Sequence, residues 1–393
     1  MNFTNLKNFM DDMTRKFVPG NAASVYYHNR EVFRYASGYS DRENGVQMTG
    51  DELMFMYSCT KPATVVAAMQ LLEKGKFLLS DPVEAYMPSF GDMTYTDSEG
   101  HVERVKHPMT IWNLFTMTSG LSYRPIPETL KIAHELTHGQ MNTVDVINVL
   151  AREPLEFDPG THWQYGRSHD ALAARVETVS GMPFGRYVIQ NVLEPLGIRD
   201  AHFRLTPDVE KRMACQYERR SEGVSITDIV RAQQYGSPTG GTVENCGKKN
   251  ELVYGPAYDS GGAGLIISVA EYARFASALA NGGEGPNGER ILARSTIDLM
   301  RRNQLSPELM KDFNFPHLRG YGYGLGMRTC IDPAAASSIG SVGEIGWGGA
   351  AGATIMADPA REISVFYAHH MLNPMEDYYQ PRLRNVVYSC FGE

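Results

Sequence analysis

Two short patterns in this chain combine residue types and spacing that can do chemistry. Ser58 and Lys61 form Ser-x-x-Lys within "SCTK". One helical turn puts the hydroxyl and the amine on the same face of a helix N-terminus, where the helix dipole favours developing negative charge. A lysine held there can accept the serine proton if burial and neighbouring positive potential depress its pKa. The second pattern, "AHELTH", reads His134-Glu135-x-x-His138. On a helix that spacing aims two imidazoles at one zinc ion, with the glutamate as general base. A chain of this length holds about one Ser-x-x-Lys by chance, so the surrounding elements decide between the two.

Those elements suggest one sheet built from both chain ends. After an amphipathic first helix, "AASVYYHNREVFRYASGYSD" (22–41) reads as a hairpin of two strands around a His28-Asn29 turn. From 58 to 75 the period becomes helical, with Val65, Ala68, Met69 and Leu72 on one face and Gly75 as the stop. Residues from about 81 to 254 are mostly short helical patterns broken by turns. Strand character returns in three segments, 320–329, 344–359 and 362–371, each expected as one antiparallel strand, before a closing helix. The expected organisation is therefore residues 1–80 and 255–393 as an α/β sheet subdomain, with 81–254 inserted as a mainly helical one. The Gly-rich segment 237–262 is long enough to be a functional loop.

Composition narrows the function classes. The chain has 393 residues, 42% of them hydrophobic, which is enough to bury a large core. A net charge of -8 leaves no basic stripe for phosphate backbones, so nucleic acid is not an expected partner. The first residues lack an apolar signal region, and no run of about eighteen apolar residues reads as a membrane span. Five cysteines without metal spacing fit reduced thiols in a cytoplasm.

Six blocks, in order, resemble the serine β-lactamase and penicillin-binding-protein family, and in particular its class C-like carboxylesterase branch. "MFMYSCTKPATVVAAMQLLEKGKFLLSDPVEAYMP" (54–88) is similar to the nucleophile helix and the segment after it. "MTIWNLFTMTSGLSY" (109–123) resembles the Thr-Ser-Gly-Leu turn. "FDPGTHWQYGRSHDALAARVETVSG" (157–181) is similar to the Pro-Gly-x-x-x-x-Tyr block. "DSGGAGLIISVAEYARFASAL" (259–279) and "GYGLGM" (322–327) also stand at family positions. "GWGGAAG" (346–352) stands where β-lactamases have Lys-Thr-Gly. The resemblance implies an α+β fold of the β-lactamase/transpeptidase type: an antiparallel sheet flanked by helices, plus an inserted mainly helical region.

The same resemblance implies that Ser58 is the nucleophile, with Lys61 and Tyr165 as a coupled base pair. The oxyanion hole would be the backbone N–H groups of Ser58 and Ala350. Trp347, Gly348, Gly349, Arg167 and Tyr123 are the implied substrate-binding residues. No cofactor or metal is needed, and the partner is a small-molecule ester.

Departures from the family pattern refine this. Trp347-Gly348-Gly349 lacks the lysine that reads a substrate carboxylate, and Arg167 stands where an asparagine would hold a substrate amide. Both losses favour esters over β-lactams and peptides. The alternatives on this fold are a β-lactamase, a D,D-peptidase or D-aminopeptidase-type amidase, an acyltransferase, or a non-enzymatic binding protein. The zinc reading is remote. Gly139 ends the helix directly after His138, and Glu153 and Glu156 stand in no matching third-ligand motif.

Overall fold

The computed structural model describes residues 1–123, 126–220 and 242–392. Its centre is an eight-stranded antiparallel sheet drawn from both ends of the chain. In chain order the strands are β1 (Gly20–Tyr27), β2 (Arg30–Asp41), β3 (Val46–Gln47), β4 (Tyr321–Tyr323), β5 (Arg328–Cys330), β6 (Ile345–Gly348), β7 (Thr354–Asp358) and β8 (Ile363–Ala368). Their spatial order is β4-β5-β6-β7-β8-β1-β2-β3. The seam between the two chain ends is β1 against β8, with Ala22 opposite Ala368 and Tyr27 opposite Ile363.

Turn chemistry sets the first hairpin. His28 and Asn29 both take positive φ, 48° and 58°, the two-residue turn whose twist matches that of the strands. The late strands differ from expectation. Segment 320–329 is two strands, β4 and β5, turning through Gly326 at φ 82°, and segment 344–359 is also two, β6 and β7, turning through Gly352 at φ 78°. Apolar residues run through both turns, so periodicity alone reads straight across them. The glycines in left-handed geometry are what fold each segment back.

The strands alternate between two buried faces. Ala23, Val25, Met356 and Val365 meet α1 (Thr4–Lys16) and the C-terminal helix through Leu6, Met10, Leu383 and Val387. Ala22, Ile355, Ala357 and Phe366 face the main core. That core includes α2 (Thr60–Glu73), α3 (Ile111–Thr116), α5 (Ser168–Ser180) and α6 (Val269–Ala280). Helix α4 (Glu128–Leu136) lies on the surface with Leu130 as its one buried residue, and α7 (Glu376–Ser389) closes the chain.

Helix α2 departs from the one-faced pattern, because every residue from Thr60 to Leu71 is buried. It runs between α5 and the sheet and is covered on all sides. Pro62 is tolerated because it falls in the first turn, where backbone N–H groups have no helical partner. Of the Gly-rich segment, residues 237–241 lie outside the described residues, and Thr242–Gly247 is a strand paired with Gln216–Arg220 rather than a loop. Among the described residues no helix is long and apolar enough to cross a membrane.

Candidate active site

Ser58 sits in a single 3₁₀ turn, Tyr57–Cys59, that runs directly into α2. Tyr57 holds φ at 46°, a left-handed conformation that costs a non-glycine residue about 1–3 kcal/mol and persists only where neighbours fix it. Here its hydroxyl donates to Gln216 Oε1 at 2.9 Å and its ring packs among Leu53, Phe55 and Met213. The strained turn presents Ser58 at the mouth of a cleft while Lys61, one turn on, points inward.

Lys61 is fully buried, and its three polar neighbours converge. Nζ lies 3.1 Å from Ser58 Oγ, 2.9 Å from the Tyr123 hydroxyl and 2.7 Å from the Gly262 carbonyl. Burial disfavours the ammonium and pushes its pKa down to about 7, opposed by the charge of Asp170. At neutral pH a sizeable fraction of the amine is therefore free to accept a proton.

Tyr165 approaches Ser58 from the other side. Its hydroxyl accepts from the Trp347 indole N–H at 3.0 Å, and the Ser58 side chain favours the ionised phenol. Burial pushes the phenol well above its ordinary value, so Tyr165 holds its proton. Lys61 and Tyr165 share no direct hydrogen bond. Nζ lies 4.7 Å from the Tyr165 ring centroid, and the two meet at the serine hydroxyl. The hydroxyl bonded to Lys61 is that of Tyr123, so this expected substrate contact lies inside the proton network.

The packing behind the cleft explains why Arg167 departs from the family pattern. A Cβ at Gly166 would stand 1.9 Å from the Leu121 carbonyl, so no side chain fits after Tyr165. Arg167, expected to contact substrate, lies outside the cleft lining. It is buried behind Tyr123, donating to the Ser122 and Tyr123 carbonyls at 3.1 and 3.2 Å and to the Tyr254 hydroxyl at 2.6 Å. Its guanidinium is consumed in holding the Tyr123 loop.

Asp170 is the residue the sequence reading left without a role. Its Oδ1 accepts from Tyr258 and Ser260 hydroxyls at 2.7 Å each and from Gly262 N–H at 3.1 Å, fixing the carbonyl that Lys61 uses. Gly262 permits this approach, since a Cβ there would meet Asp170 Oδ2 at 2.6 Å. "DSGG" and the aspartate three residues after Arg167 were both visible signals, but nothing in their spacing joins them.

The cleft has a volume of about 240 Å³ and is lined by Ser58, Tyr165, Trp347, Gly348, Gly349 and Ala350 on the expected side. Neither the Ser58 nor the Ala350 backbone N–H is taken up by a turn or loop hydrogen bond. The far wall was not anticipated: Phe315, His317 and Leu318 come from a loop before β4, Arg328 from β5, and Glu376 and Gln380 from α7.

The zinc pattern lacks its scaffold. Helix α4 ends at Leu136, and His138 takes a left-handed φ of 50°, so the two imidazoles do not share one helical face. The His134 ring instead packs on Gly139 and Gly255, and Glu135 is exposed. Among the described residues no cluster of three or more candidate metal ligands occurs. His169, His369 and His370 are buried and pushed down to about 3, 3 and 4 by desolvation, so they stay neutral.

Comparison with known proteins agrees with this architecture. Esterase EstB from Burkholderia gladioli is 30% identical over 355 residues, 88% of this chain and 84% of that protein. The solved structure of EstCE1, described as a hydrolase with promiscuous acyltransferase activity, superposes with a TM-score of 0.76 at 24% identity, covering 98% of this chain and 97% of that one. Simvastatin synthase (LovD) from Aspergillus terreus gives a TM-score of 0.74 at 22% identity, covering 99% and 98%. The Beta-lactamase family profile matches residues 6–388, and the chain belongs to that family.

Proposed function

We infer that this protein is a serine hydrolase that cleaves carboxylic esters through an acyl-enzyme on Ser58. The observation that carries the reading is the fully buried Lys61, with its pKa near 7, bonded to the hydroxyl of Ser58 at the mouth of a cleft. The 30% identity to an esterase over most of both chains supports the substrate class.

In this mechanism neutral Lys61 takes the Ser58 proton as Oγ attacks the ester carbonyl, since Tyr165 is still protonated at that pH. The tetrahedral oxyanion accepts hydrogen bonds from the Ser58 and Ala350 N–H groups. Tyr165 then donates its proton to the departing alkoxide, and the Trp347 N–H stabilises the phenolate left behind. The proton that Lys61 gained then restores the Tyr165 phenol, since the acylated Ser58 oxygen carries none. Water repeats the sequence on the acyl-enzyme, with Lys61 as base. An alcohol in place of water would give acyl transfer, a second outcome favoured by the promiscuity named for EstCE1.

The test is a panel of p-nitrophenyl esters of graded acyl length, run with wild type and Ser58→Ala and with a phosphonate probe. Turnover that disappears in a folded Ser58→Ala, together with labelling at Ser58 alone, is expected. Unchanged turnover in that variant, or labelling at another serine, would overturn the assignment.

A further inference from the structure

The cleft lining continues past Ser58 to β5, β6 and α7, where two glycines of β6 let neighbouring side chains pack against the strand. A Cβ at Gly346 would come within 2.8 Å of Arg328 Nη2, and one at Gly348 within 2.5 Å of Gln380 Nε2. Arg328, directly across the ladder from Gly346, forms part of the cleft wall.

Its guanidinium is 1% exposed and only partly used. Nη1 donates to Glu344 Oε1 at 2.7 Å, while Nε and Nη2 have no partner. Behind it Arg384, also buried, donates from Nη2 to the His317 carbonyl at 2.8 Å and leaves Nη1 unpartnered. Among the described residues Glu344 is the sole carboxylate within ion-pair distance of either arginine, and its second oxygen is taken by the Tyr321 hydroxyl at 2.8 Å. Two buried guanidinium groups thus share one carboxylate. Both guanidinium groups lie over the Tyr321 ring, at 4.7 and 4.9 Å, but three of their nitrogens have no hydrogen-bond acceptor, which is costly unless something arrives to meet them. Glu376 also lines the cleft, its carboxyl held above the ordinary carboxylate range by burial.

We propose that the inner end of the cleft is a carboxylate-binding subsite centred on Arg328, and that the esters this protein prefers carry a carboxylate on the acyl or the alcohol part. The proposal rests on the esterase reading and deepens it. The lysine missing from β6 leaves that strand without a cation. Arg328 supplies one from the neighbouring strand, with the planar donor pair that suits a carboxylate.

Two substrate pairs test it, each an acid against its own methyl ester. On the acyl side, p-nitrophenyl hydrogen glutarate is compared with p-nitrophenyl methyl glutarate. On the alcohol side, 4-acetoxybutyrate is compared with methyl 4-acetoxybutyrate. The expected result is a kcat/KM about tenfold or more higher for the acid in one of the pairs. In Arg328→Met that preference, read as the acid-to-methyl-ester ratio of kcat/KM within each pair, should vanish. Glutarate should also inhibit neutral-ester hydrolysis competitively in wild type and fail to do so in the variant. Equal or better turnover of the methyl ester in both pairs, without glutarate inhibition, overturns the subsite. The wild-type comparison decides this even if Arg328→Met does not fold. If no ester is hydrolysed in a Ser58-dependent way, the esterase reading fails instead, and glutarate binding measured by calorimetry still decides the subsite.

Discussion

Replacing Lys61 with methionine should raise the stability of this protein while abolishing its activity, and the stability gain should depend on pH in a defined direction. Lys61 falls from an ordinary 10.5 to about 7 on burial. At 1.36 kcal/mol per pH unit, that is a cost of about 5 kcal/mol carried by the folded state at low pH. Both folded and unfolded chains hold the proton below pH 7, so the whole cost is present there. Between 7 and 10.5 the unfolded chain binds more protons, and folding becomes more favourable as pH rises. Methionine fills the same volume without the charge but leaves the Gly262 carbonyl without its 2.7 Å donor, a loss of about 1–3 kcal/mol. At pH 6 the variant should therefore be more stable than wild type by about 2–4 kcal/mol. From pH 6 to pH 9 wild type should regain about 2–3 kcal/mol relative to the variant. Urea unfolding of both proteins at the two pH values measures this directly. If their difference in stability stays constant across that range, Lys61 is not a depressed amine, and its role as the base at neutral pH is refuted.

The remaining expectations concern the reaction. With neutral Lys61 as base, kcat/KM should fall about tenfold per pH unit below about 7, and Asp170→Asn, which keeps the Oδ1 acceptor but removes the charge that raises Lys61, should move that limb to lower pH. An acid limb that stays fixed in the variant would place the titrating group elsewhere. Tyr165→Phe and Lys61→Ala should each cost about two or more orders of magnitude in kcat, with the double variant little worse than either, because the proton Lys61 takes up is the one that restores Tyr165 and the two work as one relay. Losses that simply multiply would separate their roles. Nitrocefin should be a poor substrate, since Arg167 is locked behind Tyr123 and no side chain at that position reads a β-lactam amide. A kcat/KM for nitrocefin above that of the best short-chain ester would reverse the ranking of ester over β-lactam.

What was legible in the sequence follows from how far apart the contributing residues lie. Ser58 and Lys61 share one helical turn, so spacing alone brings them together. The His28-Asn29 hairpin was equally readable, because its geometry is a property of two adjacent residues. Tyr165 came only from the order of the family's blocks, as it lies more than a hundred residues from the serine it meets. Where the sequence reading erred, a tertiary contact had overridden a local pattern. Helix α2 looked one-faced and is buried all round, and the strands after 320 fold back at glycines that periodicity passes over.

Arg167 shows the same limit in chemical terms. Its place at the family's asparagine position implied a substrate contact, but Gly166 brings the backbone so close to Leu121 that the Arg167 side chain turns behind the Tyr123 loop. The cation that does line the cleft, Arg328, carried no motif at all. It is found only once β5 is seen to lie beside a β6 whose Gly346 and Gly348 let Arg328 and Gln380 pack against the strand. Spacing could therefore locate Ser58 and Lys61, which share one helical turn. The groups facing the rest of a substrate are set by strand pairing and by the absence of side chains, and they become visible only when the sheet is assembled.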